Sequence, residues 1–107
     1  MSDYSEIVAR LRSRVPPSIA EDPILSEVMD DFLVEIPEKI DLIAQMLSDG
    51  NIPEAMRFAH QLKGSAATFG FTGISARARD LEQACIAGRP VPELTSLLQL
   101  LRGESGM

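Results

Sequence analysis

At 107 residues, with a formal net charge of −6 and a pI near 4.6, the chain is long enough for one hydrophobic core and too short for two. That acidity excludes a nucleic-acid backbone or an anionic membrane as the main partner. Aliphatic residues and alanine supply most of the 45% hydrophobic content, aromatics are 5% and tryptophan is absent, a balance that favours helices over a sandwich or barrel.

Ile7, Val8, Leu11 and Val15 recur at helical spacing across residues 3–15, and Pro16-Pro17 closes this short leading helix. Asp22-Pro23 reads as an N-cap followed by proline at the first helical position. From there Ile24, Val28, Phe32, Ile36, Ile40, Ile43 and Leu47 keep a helical rhythm as far as Ser48-Asp49-Gly50. Pro37 interrupts it, leaving open a kinked long helix or two helices that meet there.

Asn51-Ile52-Pro53 starts the next helix, whose apolar positions are Ala55, Ala59, Leu62, Ala66 and Phe69, with Gly70 as its C-terminal stop. After a connection at Phe71-Thr72-Gly73 the spacing returns as Ile74, Ala78, Leu81 and Cys85, up to Gly88. The two segments form an antiparallel hairpin with a small-residue seam. Pro90-Val91-Pro92 breaks the chain again, and Leu94, Leu97, Leu98 and Leu101 mark a last helix before a tail, 103–107, that is expected to fray. With no strand-period run and no internal repeat, the expected fold is all-α: an antiparallel up-and-down four-helix bundle over residues 22–102 with one additional N-terminal helix.

Cys85, the single cysteine, falls on the core face and reads as a small buried hydrophobe; it rules out an internal disulfide. No apolar run suggests a signal peptide or a membrane span, so the expected location is the cytoplasm. Charge is unevenly spread: residues 1–54 hold four bases against twelve acids, a net −8, whereas 55–107 hold six bases against four acids, a net +2. The single histidine, His60, lies in the basic half.

Heptad lettering with Ala59 and Ala66 at a, and Leu62 and Phe69 at d, puts His60 just outside the seam, Lys63 at e and Gly64 at the solvent-facing f. In the next helix Glu82 also falls at e, and a turn centred near Phe71 sets it level with His60, with Arg79 near Lys63. One flank of the hairpin therefore carries a histidine, a lysine, a glycine and a carboxylate. Such a site suits a nucleophilic, phosphoryl-accepting imidazole: the carboxylate fixes the tautomer, and the lysine offers charge to phosphoryl oxygens. Glycine inside a helix costs about 1 kcal/mol relative to alanine, and its return is an uncluttered surface beside the ring.

The segment Ala59-His60-Gln61-Leu62-Lys63-Gly64-Ser65-Ala66, followed by Phe69-Gly70 and Leu81-Glu82, resembles the histidine-containing phosphotransfer (HPt) domains of bacterial phosphorelays. The resemblance spans nearly the whole chain in segment order. It implies a four-helix bundle whose exposed histidine is phosphorylated on Nε2 and exchanges the group with a receiver-domain aspartate. On it, His60 is the phosphorylation site, Lys63 stabilises the phosphoryl group, Gly64 keeps access open and Glu82 bonds to the ring. Met56, Arg57, Gln61, Ala67, Phe71 and Arg79 are the expected docking residues. Expected partners are response-regulator receiver domains and a hybrid histidine kinase, with the chain a monomer. No nucleotide-binding loop is present, so the chain is not expected to be an enzyme in its own right, nor to carry a cofactor; Mg²⁺ is expected on the receiver. The alternative is a helical adaptor that binds receiver or kinase domains without being phosphorylated. A metal-centred bundle enzyme is disfavoured, because one histidine and no inward Glu-x-x-His pair leave too few ligands.

Overall fold

The structure, a computed structural model, describes residues 3–107. Six helices follow one another: α1 (Ser5–Arg12), α2 (Pro17–Ala20), α3 (Pro23–Ser48), α4 (Ile52–Thr68), α5 (Thr72–Ile86) and α6 (Val91–Glu104). Helices α3 to α6 each pack on their neighbours in sequence, and α6 closes back on α3. Connections of three or four residues reverse the chain each time, giving the expected antiparallel four-helix bundle.

Local signals explain where the helices begin and end. The Asp22 carboxylate accepts from the backbone N–H of Ile24 and of Leu25, both at 2.9 Å, capping α3 ahead of Pro23. Asn51 Oδ1 accepts from the Glu54 N–H at the start of α4. Gly70 takes a φ of +82°, the left-handed conformation that ends α4 and turns the chain into α5. The core lies between the four helices: Leu33, Ile36, Ile40 and Ile43 of α3 meet Leu62 of α4, Ile74 and Leu81 of α5, and Leu94 and Leu101 of α6, all fully buried. Each such side chain contributes roughly 1.5–3 kcal/mol of transfer free energy. Between α4 and α5 the buried residues are small, with Ala55, Ala59, Ala66 and Ala78 at the seam, so the two backbones come close.

The structure resolves the Pro37 question and corrects four expectations. Helix α3 runs unbroken through Pro37, whose ring is itself buried; packing on both sides of it outweighs the one backbone bond that proline cannot donate. Ile24 is 76% exposed and Val28 48% exposed, so the face they mark on the first turns of α3 stays largely open to solvent. The leading helix covers Ser5–Arg12 rather than 3–15, and a second short helix, α2, follows Pro16. The connection before α5 is shorter than expected, since Thr72 and Gly73 already belong to that helix.

The tail does not fray. Helix α6 continues to Glu104, Ser105 is buried, and Met107 packs on the core. Arg14 donates to the Glu104 carbonyl at 2.8 Å and Arg10 to the Gly106 carbonyl at 3.2 Å, so the two ends of the chain hold each other. Among the described residues no helix is long and apolar enough to cross a membrane.

Candidate functional site

Helix α4 presents His60 one position beyond buried Ala59, so the backbone there is fixed by the seam while the side chain is 65% exposed. Across the hairpin, α5 places Glu82 beside the buried residues Leu81 and Cys85, and its side chain is only 8% exposed. The two meet: His60 Nδ1 lies 2.5 Å from Glu82 Oε2. The second carboxylate oxygen, Oε1, accepts from Lys63 Nζ at 2.7 Å. Lys63 stands one turn after His60 on α4, so one carboxylate grips two side chains of the neighbouring helix.

This arrangement sets the charges. The hydrogen bond from Lys63 holds the Glu82 carboxyl below its ordinary range; burial opposes this, and the contact with His60 adds to it. An ionised Glu82 only accepts hydrogen bonds, so His60 bonds to it as the Nδ1–H tautomer, and the Nε2 lone pair is left for chemistry. Cys85, behind Glu82, has its thiol pushed up by burial and by the nearby Glu82 charge, in keeping with a small core residue.

Gly64 lies on the open side of α4, and a Cβ built there would meet nothing within 4 Å. Beyond it, Lys63, Ala67, Thr72, Ser75, Ala76 and Arg79 line a shallow groove between α4 and α5. Ser75 Oγ donates to the Lys63 carbonyl at 2.9 Å and ties the backbone under the lysine to α5. Ser75 was not singled out in the sequence, although it shares position e with Glu82 exactly one heptad away, which was the available signal.

The structure sorts the expected docking residues. Ala67 and Arg79 are exposed along the groove, and Arg57 is exposed but bonded to Glu54 at 2.6 and 3.0 Å. Met56 is half-buried against the core, and Gln61 accepts from Lys39 of α3 at 3.4 Å. Lys39 also stands over the Phe58 ring; its part in this flank depends on how α3 registers against α4, which no local motif reveals. Phe71 is a correction. It is 3% exposed, tilted against Phe32 and covered by the Arg14 guanidinium at 5.5 Å, so it belongs to the core and offers no docking surface. Lys63 lies on the same flank as His60 and Glu82, as the heptad positions place it, and is bonded to Glu82. Among the described residues no group of three or more His, Cys, Asp or Glu side chains is placed to hold a metal ion.

No curated protein and no solved structure matches the chain significantly. Residues 27–104 match the family model of the Hpt domain, a span that holds all four bundle helices but for the first turn of α3, together with His60, Lys63, Gly64 and Glu82. An all-helical bundle, an exposed histidine oriented by a carboxylate and a family match over most of its length agree, and the chain belongs to the Hpt domain family.

Proposed function

We infer that this chain shares the general role of Hpt domains, histidine phosphotransfer in phosphorelays together with receiver domains and kinases. We propose that this chain accepts a phosphoryl group on His60 from a receiver aspartate and passes it to another receiver aspartate. The observation that carries the reading is the ring of His60, a side chain 65% exposed whose Nδ1 is bonded to Glu82, which leaves Nε2 as the nitrogen not engaged by that carboxylate. In the forward step the Nε2 lone pair attacks the phosphorus of the aspartyl phosphate. The P–N bond forms, the P–O bond to the aspartyl carboxylate breaks, and its electron pair leaves with that carboxylate. The Nδ1 proton stays in place, so no general base is consumed. The reverse sequence, on a second receiver, returns the imidazole to its starting form.

In this reading Lys63 has one donor on Glu82 and two more for phosphoryl oxygens. Gly64 leaves room for the receiver backbone, and Arg79 and Ala67 offer it a groove with positive charge at one wall. Mg²⁺ would come with the receiver and screen the phosphoryl oxygens; this chain supplies the positioned nucleophile. The chain is proposed to act as a cytoplasmic monomer, with a hybrid histidine kinase upstream, and to hydrolyse no nucleotide itself.

The test is incubation with a phosphorylated receiver. Wild type is expected to gain acid-labile, alkali-stable phosphate and His60→Gln none. Equal labelling of the variant would sink the reading and favour the unphosphorylated adaptor.

A further inference from the structure

Glu82 spends a single negative charge on two partners, His60 through Oε2 and Lys63 through Oε1, in a position almost closed to solvent. The ring that attacks is neutral, since its Nε2 lone pair is the nucleophile, and its bond at Oε2 is that of a neutral donor to a carboxylate. After transfer to Nε2 the ring keeps its Nδ1 proton and becomes cationic, so the same bond joins two full charges. Bonds between two charged groups are shorter and stronger than those in which the donor is neutral. Glu82 therefore gains more from the phosphorylated ring than from the free one, and that difference acts on the equilibrium of exchange, not only on the orientation of the ring.

We infer that Glu82 is a positioning residue that also sets how firmly His60 holds the phosphoryl group, with Lys63 moderating it by drawing on the same carboxylate. The inference rests on the proposal that His60 is phosphorylated. The other charged groups around the ring do not duplicate the effect. Among the described residues, Arg57 on α4 is engaged by Glu54, Arg79 on α5 lines the groove with no acid bonded to it, and Lys39 of α3 reaches only Gln61 and the Phe58 ring. Glu82 is thus the one carboxylate bonded to the imidazole among the described residues. An acid here, rather than a neutral amide, makes the domain a holder of phosphate that releases it only to a strongly accepting receiver.

The experiment needs no receiver. Phosphoramidate phosphorylates the ring directly: the Nε2–P bond forms, the P–N bond of the N-protonated donor breaks, and ammonia leaves with that electron pair. Free imidazole then competes for the group, and ³¹P NMR reads both the partition between His60 and imidazole and the pH midpoint at which the phosphorylated ring loses its Nδ1 proton. Glu82→Gln keeps the shape and one acceptor but removes the charge. It is expected to shift the partition about tenfold towards imidazole and to lower the midpoint by about one pH unit, both equivalent to about 1.4 kcal/mol. Lys63→Gln frees the carboxylate from its competitor and is expected to move the midpoint the other way, a pair of opposite shifts that loss of folding would not produce. Unchanged partition and midpoint in Glu82→Gln would overturn the inference and leave phosphorylation of His60 intact. Failure of wild type to carry phosphate on His60 would instead overturn the proposed function.

Discussion

The α4–α5 hairpin and the N-terminal cap made by α1 and α2 are both built on the same bundle, yet they are held by different means. The hairpin is joined by a seam of alanines and by one buried carboxylate whose two oxygens each hold a side chain of α4. The cap lies ahead of the family match at 27–104 and is held by contacts between residues far apart in the chain. Leu11 is fully buried, Pro16 sits against Gly70, Arg14 covers Phe71, and Tyr4 donates to Asp41, which also accepts from Arg102. Where neighbours in sequence meet, geometry follows from spacing, and side chains on the two helices can be brought into hydrogen-bond contact. Where distant segments meet, the same residue types serve to cover the end of the bundle, over the turn of the hairpin.

The comparison can be broken most forcefully at Leu11. Leu11→Ala is expected to lower unfolding free energy by about 2–5 kcal/mol while the folded fraction keeps full phosphoryl acceptance. Chemical denaturation checks the first part and phosphoramidate labelling the second; a loss below about 1 kcal/mol would show that the cap is ornamental to the core. Gly70 joins the two regions. A Cβ there would lie 2.8 Å from the Pro16 ring, at a φ of +82°, so Gly70→Ala is expected to cost about 1–3 kcal/mol and to loosen the cap before the hairpin, as amide exchange would report.

Gly64 should behave in the opposite way. With nothing for a Cβ to meet, Gly64→Ala is expected to raise stability by about 1 kcal/mol in thermal unfolding, yet to slow transfer from a receiver if the open surface is a docking face. A variant that is more stable and transfers equally fast would leave Gly64 without a functional role. The finest test lies in the acid limb. The carboxyl of Glu82 is held below its ordinary 4.5 in the fold, so its contribution is complete above that value and is lost as pH falls through the depressed one. Stability should therefore decline as pH drops below about 4.5, and Glu82→Gln should flatten that part of the profile; an unchanged slope would mean the bridge contributes nothing to folding.

Much of the site was legible because its residues are neighbours on a hairpin. Two helices joined by a tight turn have their relative height fixed by the number of residues from the turn, and so Glu82 could be set level with His60. Phe71 was misread for a related reason: a residue at the turn of a hairpin reads as exposed until a segment from elsewhere covers it. Here that segment is the cap, through Arg14, with Phe32 beneath. Ile24 and Val28 err in the other sense, since helical period marks a face but not whether anything lies against it. The tail was misjudged because glycine and serine at a chain end suggest fraying, whereas Arg10 and Arg14 reach it from 96 and 90 positions away.

By itself the sequence determined the four bundle helices, the turn at Gly70 and the flank that carries His60, Lys63, Gly64 and Glu82, because period, caps and turn length act over a few residues. Only the tertiary structure decided that α3 continues through Pro37, that the two chain ends lock together, and that Lys63 rests on the carboxylate that orients His60. Those outcomes depend on which groups compete for a contact after the helices have packed, and no local rule ranks such competitors.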